Sequence, residues 1–157
     1  MTETYVIDGY NVLYRLSDFF SKSLTREQLL DFLIQFRPQG RNRAVVVFDG
    51  YGTNNFLSGN IQIVYSKSYS ADDYILHLLK TNRYKYVMVV SDDRELRARA
   101  KMLGAKVVAS SDFLKIGLKR KTSTIKRNAG KIEKPSLLSV EAFRIKRELE
   151  KVWLKKK

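Results

Sequence analysis

The chain has 157 residues, 44% of them hydrophobic and 11% aromatic, the length of one ordinary domain with enough apolar mass for a sizeable core. It holds no cysteine, which excludes disulfides, thiolate metal sites and a thiol nucleophile and suits a reducing, cytoplasmic setting. The formal net charge of +14 is unevenly placed: residues 1–113 carry 15 Lys and Arg against 12 Asp and Glu, residues 114–157 carry 15 against 4.

The nearly balanced body and strongly basic C-terminal quarter point to a polyanionic partner. No apolar run approaches membrane-spanning length, so no membrane is expected. The carboxylate at position 8 comes too early for a signal-peptide core.

The run Tyr5-Val6-Ile7 ends on Asp8, and Gly9, Asn11 and apolar residues at helical spacing follow. This predicts a buried first strand, a tight turn and a helix, with Tyr14 to Lys22 its continuation or a loop. Thr25 with Gln28 has the spacing of a capping box, opening a helix with Leu29, Leu30, Leu33, Ile34 and Phe36 on its apolar face and a stop at Arg37-Pro38. Ala44 to Phe48 predicts a buried strand that ends on Asp49-Gly50. The Gly- and Asn-rich stretch from Tyr51 to Asn60 reads as a loop whose path to the third strand, Ile61 to Tyr65, is open.

Ser70-Ala71-Asp72-Asp73 starts a helix with Ile75, Leu76, Leu78 and Leu79 on its apolar face. Tyr86 to Val90 is the fourth strand, ending on Ser91-Asp92-Asp93. A helix with Leu96, Ala100 and Leu103 stops at Gly104, and Lys106 to Ala109 is a short fifth strand. Phe113 and Leu114 are expected to close the body. Residues 115–135 are basic and poor in apolar residues, which reads as a mobile loop or linker. Ser139 to Leu154 returns to helical spacing. The division is therefore a body, residues 1–114, and a basic extension, residues 115–157, ending in a helix. Alternating strands and helices predict an α/β fold with a mostly parallel sheet covered on both faces.

Three strands end alike: Asp8 follows the first, Asp49 the second and Asp92 the fourth, while Asp72 opens the helix after the third. In a parallel sheet all four reach the carboxyl edge, where ligands bind. Converging carboxylates repel and raise one another's pKa unless a cation neutralises them. Oxygen ligands without His or Cys select a hard cation, Mg²⁺ or Mn²⁺. Such an ion suits phosphoryl chemistry, and the basic tail suits a nucleic acid backbone. On charge alone, Lys119, Arg120, Lys121, Lys126 and Arg127 are the candidate nucleic-acid contacts.

The neighbouring residues admit simpler roles. Asp73, three residues after Ser70, is either a capping-box partner or a site residue. Asp93 and Glu95 suit a helix N-terminus. Asp18, Asp31 and Asp112 follow no strand and read as solvated or capping. His77 reads as a packed or surface imidazole. Asn11 either caps the first helix or, the favoured reading, orients Asp8 by hydrogen bonding, and Ser91 could do the same for Asp92.

Ile-Asp-Gly-Tyr-Asn at 7–11, Phe-Asp-Gly at 48–50, Ser-Ala-Asp-Asp-Tyr-Ile at 70–75 and Val-Val-Ser-Asp-Asp-Arg-Glu-Leu at 89–96 together resemble the YacP-like branch of the NYN-domain nucleases, relatives of the PIN fold. The resemblance spans residues 5–113 with the motifs in order. It implies a PIN-like three-layer α/β/α sandwich and a divalent-metal-dependent endoribonuclease. The implied metal acids are Asp8, Asp49, Asp72 and Asp92, with Asn11 and Ser91 in support and Asp8, Asp72, Asp92, Asn11 and Ser91 as the catalytic set. It also makes RNA the nucleic acid that the basic candidates would contact, and the ribosome a plausible partner. The rival readings are a non-catalytic RNA-binding or ribosome-associated protein on the same fold, a membrane-surface protein, and a haloacid-dehalogenase-type phosphatase. The last needs an Asp at position 10, where Tyr10 stands.

Overall fold

The computed structural model describes residues 3–57 and 59–128, with 55–57 and 121–128 described by their backbone. Apolar runs buried on both faces form its centre. Strand β1 (Thr4–Asp8) lies between β2 (Arg43–Phe48) and β5 (Val87–Val90), all parallel. Outside them, β4 (Ile61–Tyr65) pairs with β2 and β6 (Lys106–Val108) with β5, again parallel. These five strands are those the sequence predicts. A sixth, β3 (Asn55–Leu57), runs antiparallel along the outer edge of β4.

The stretch read as a loop therefore contains a strand, and β3 resolves the path left open. From the end of β2 the chain steps across to the outer edge, descends as β3, turns near Gly59 and rises as β4. A hairpin thus delivers β4 parallel to β2 without a helix between them.

Helices α1 (Gly9–Phe20), α2 (Arg26–Phe36) and α5 (Ser110–Asn128) pack together on one side of the sheet, with α3 (Ala71–Lys80) and α4 (Arg94–Met102) on the other. Alternation along the strands feeds both cores. Ile7 and Val46 join Leu16, Phe32 and Phe113 on the first side, while Val6, Val45 and Val47 join Ile75 and Leu96 on the second. The Thr25–Gln28 capping box forms as expected. Gly9 is required by close approach: a Cβ there would lie 2.6 Å from Phe48 Cδ1 and 2.9 Å from the Val47 carbonyl oxygen.

The second correction concerns residues 115–128, read as loop and found as helix. Phe113 and Leu114 do not close the body; α5 continues past them to Asn128. Its apolar side is narrow, Phe113, Leu114 and Leu118, and basic residues on the rest of the helix mask it in the sequence. Gly117 lets α5 sit on the end of α2, where a Cβ would meet Pro38 Cδ at 3.2 Å. Beyond it, Arg120 Nη1 donates to the Arg37 carbonyl at 2.7 Å, satisfying the C-terminus of α2. The rest of the expected linker, residues 129–135, and the helix expected over 139–154 lie outside the described residues.

Candidate active site

Parallel pairing brings the ends of β1, β2, β4 and β5 to one edge, and with them Asp8, Asp49, the start of α3 and the Ser91-Asp92-Asp93 turn. Asp8 ends β1 and precedes α1; its residue is only 8% exposed. Asp49 Oδ1 accepts from the Ala71 N–H at 2.6 Å, so one strand-end carboxylate holds the first turn of the helix that carries Asp72. Ser70 caps the same helix, its Oγ accepting from the Asp73 N–H at 3.0 Å.

These acids load one another. Burial pushes the Asp8 carboxyl up to about 6, with Asp72 and then Asp49 adding repulsion against the relief given by Ser91 and the Asn11 backbone N–H. Burial also raises Asp72, helped by Asp93, Asp49 and Asp73. Among the described residues no ion pair joins Asp8, Asp49 or Asp72 to a basic side chain.

Asp92 differs. Its Oδ2 accepts from Arg15 Nε in an ion pair, and its Oδ1 accepts from the Ser110 N–H at 2.9 Å. It is not among the charges that raise Asp8 or Asp72. Asp93 faces Asp72 instead, while its Oδ1 caps α4 by accepting from the N–H groups of Glu95 and Leu96 at 2.9 and 3.2 Å. The capping expected of Asp93 is therefore real, and it does not keep that residue out of the acidic group.

The two supporting residues exchange the partners expected of them. Ser91 Oγ donates to Asp8 Oδ2 at 3.3 Å and accepts from the Asp93 N–H at 3.1 Å. Asn11 Oδ1 accepts from the Asp92 N–H at 2.8 Å and from Ser110 Oγ at 2.6 Å, while its backbone N–H faces Asp8. The reason is depth. Ser91 is fully buried directly beside the end of β1, whereas Asn11 stands one turn into α1 and reaches across to the β5 turn.

Sequence reasoning missed Arg15 and Ser110. Arg15 is one helical turn after Asn11, a spacing that puts both on one face. Ser110 follows the last parallel strand, as the acids follow theirs. The basic candidates are not brought to the acids: α5 starts at Ser110 and carries Lys119 and Arg120 toward the opposite edge, about 15 Å along its axis. There Arg120 reaches Arg37 and lowers the Tyr5 pKa, which burial raises overall. Lys121, Lys126 and Arg127 lie further along α5; their side chains are outside the described residues.

Oxygen donors with raised pKa values and no basic partner are the kind of set that hard cations take. Among the described residues no three acidic or His side chains converge tightly enough to enclose an ion by themselves. One or two carboxylates completed by water or phosphate oxygens is the usual Mg²⁺ arrangement, and that is what the set can offer.

A family model described as YacP-like NYN domain matches residues 5–155. The fold is similar to the crystal structure of Rae1 (YacP) from Bacillus subtilis in its W164L form, with a TM-score of 0.59 and 20% identity over 92% of each chain. A second crystal structure of Rae1 (YacP) from Bacillus subtilis matches with a TM-score of 0.52 and 18% identity, covering 94% of this chain and 92% of that one. No curated protein matches the sequence.

Proposed function

The chain belongs to the YacP-like NYN-domain family, and from that premise we propose that it is a divalent-metal-dependent endoribonuclease cleaving RNA phosphodiesters. NYN domains are generally nucleases and typically use divalent metals. The observation that carries the reading is the group Asp8, Asp49 and Asp72: three carboxylates from three segments, mutually repelling, with no ion pair among the described residues to relieve them. A protein that only bound RNA would gain nothing from concentrating negative charge where a phosphate must approach.

In this reading Asp8 and Asp72 would hold the ion, with water or phosphate oxygens completing its shell, and Asp49 fixes the start of α3 through the Ala71 N–H. Mg²⁺ or Mn²⁺ held there would supply positive charge against the phosphate oxygens and lower the pKa of a bound water. Ser91 holds the Asp8 carboxylate in place by donating to it. Asn11 and Ser110 tie the Asp92 turn to α1 and α5, and Arg15 anchors it from α1. Asp92 then acts as a positioning residue. The protein's share of the chemistry is placement and charge. RNA is the substrate in this reading; a ribosome-bound mRNA in the cytoplasm is the setting the family resemblance suggests. Lys119, Lys121, Lys126 and Arg127 of the basic extension add grip on the backbone away from the cleavage point.

Purified protein with single-stranded RNA tests this directly. Internal cleavage should appear with Mg²⁺ or Mn²⁺, stop with EDTA and be absent from Asp72→Asn at unchanged melting temperature. Cleavage that persists in EDTA, or in Asp72→Asn, would overturn the assignment.

A further inference from the structure

Two hollows meet along the groove between α3 and α4. The smaller, about 200 Å³, runs from Ser70 and Asp72 to Glu95 and Leu96. The larger, about 470 Å³, opens beside it and reaches Tyr69, Tyr74, His77 and Lys80. Both are bounded by Asp73, Leu76 and Arg99, so one continuous path leads from the acidic group into the larger hollow. Positions 73, 76, 77 and 80 fall at i, i+3, i+4 and i+7, a single face of α3. That face is the floor of the path, about 10 Å long.

The larger hollow combines aromatic surface with positive charge. Tyr69 is 67% exposed, so its ring face is open to a partner. Its backbone is nonetheless fixed: the buried Ser66 donates through Oγ to the Tyr69 carbonyl at 2.6 Å, and the Tyr69 N–H donates to the Ser66 carbonyl at 3.2 Å. A ring presented to solvent on a held backbone loses little entropy when something stacks on it. Tyr74 is half-buried against the core and walls the same hollow. Lys80 and His77 are exposed, and among the described residues Lys80 makes no ion pair. Arg99 pairs with Glu95 at 2.7 Å, but both side chains are largely exposed, so solvent screens the pair and a phosphate can compete for the guanidinium. Asp73 opposes an anion at the near end and favours a phosphate lying toward Lys80.

We propose that this hollow is a base-stacking subsite for single-stranded RNA, taking a nucleotide adjacent to the one being cleaved. The base stacks on Tyr69, and its phosphate meets Lys80 and Arg99. An aromatic platform joined to cations along a groove is how single strands are gripped without sequence readout. An apolar peptide would leave Lys80, His77 and Arg99 without a role, and a duplex would hide the base faces that Tyr69 needs. The proposal rests on the nuclease reading above for the direction of the strand, since it assigns the reacting phosphate to the Asp8 and Asp72 end.

The test is binding of a fluorescein-labelled single-stranded RNA heptamer, followed by anisotropy in EDTA so that cleavage plays no part. A single abasic nucleotide is walked through the heptamer. Tyr69→Ala should weaken binding about tenfold and Tyr69→Phe by less than twofold. One abasic position should weaken the wild type by the same factor and have no further effect in Tyr69→Ala. Lys80→Gln should reduce the slope of log affinity against log salt by about 0.7. Abasic losses of equal size in wild type and Tyr69→Ala at every position would overturn the subsite. So would wild-type affinity in Tyr69→Ala. If Tyr69→Ala melts several degrees low, an unchanged salt slope in Lys80→Gln overturns it instead. The two readings fail separately. Abasic coupling in a protein that cleaves no RNA keeps the subsite and removes the nuclease. Cleavage that depends on Asp72, without coupling at any position, does the reverse.

Discussion

The two flanks of β1 end in carboxylates of the same type and treat them in opposite ways. On the β2 and α3 side, Asp8, Asp49 and Asp72 face one another, and burial plus mutual repulsion raise Asp8 and Asp72. On the β5 and β6 side, both oxygens of Asp92 are already engaged, one by Arg15 and one by the Ser110 N–H. A carboxylate neutralised from within has little left to offer an external cation. One that its own protein leaves under repulsion gains from any cation that arrives. Position at a strand end therefore selects candidates, and the compensation around each is the basis on which we propose Asp8 and Asp72 as ligands and Asp92 as a positioning residue.

The largest expected effect separates the flanks by activity. Asp8→Asn should lower RNA cleavage by a hundredfold or more, the scale of losing a charge that stabilises the reacting group. Asp92→Asn and Arg15→Ala should each lower it by only about tenfold, and to similar extents, because both loosen the same turn. Single-turnover rates on one RNA measure all three. A loss in Asp92→Asn as deep as that in Asp8→Asn, with Arg15→Ala silent, would make Asp92 a ligand.

Next in size is the pH dependence of stability without metal. Asp8 has a folded pKa of about 6, above its ordinary value, so the native state holds a proton that the unfolded chain releases. Its contribution is fully present below about pH 4 and is lost as pH rises through about 6. Wild type should thus lose up to about 3 kcal/mol relative to Asp8→Asn between pH 4 and 7.5, measured by urea unfolding in EDTA. Parallel stability curves for the two proteins would show that Asp8 is not under load.

Metal addition should give a smaller shift. Mn²⁺ at a hundredfold excess over its dissociation constant stabilises by about 2.7 kcal/mol, several degrees of melting temperature for a chain of this size. The shift should vanish in Asp8→Asn and persist in Asp92→Asn. A shift of equal size in both variants would place the ion elsewhere.

The smallest effects belong to α5. Arg120→Gln should cost about 1 kcal/mol through the lost bond to the Arg37 carbonyl and leave cleavage at saturating protein unchanged. Neutralising Lys119, Lys121, Lys126 and Arg127 together should flatten the salt dependence of RNA binding by about 0.7 for each phosphate no longer held, again without changing single-turnover cleavage. A full salt slope in that variant would show that the body grips RNA by itself.

Much of the architecture was legible in the chain, because it follows from local pattern and burial. Apolar runs such as Ala44–Phe48 must be covered on both faces, which orders them in parallel and sends Asp8, Asp49 and Asp92 to one edge. The Thr25–Gln28 capping box and the Ser70 cap were likewise readable, since each closes within one turn. Two elements escaped for local reasons: β3 is three residues long and too short to show a period, and α5 carries its few apolar residues among lysines and arginines. The polar pairing at the site escaped for a different reason. Ser91 meets Asp8, Asn11 meets the Asp92 N–H, and Arg15 meets Asp92 across 83, 81 and 77 residues of chain. Topology brings such groups to the same edge but does not choose among donors a few ångströms apart. That choice depends on how deep each residue sits and how the α1 and β5 ends are offset, and only the packed structure sets those.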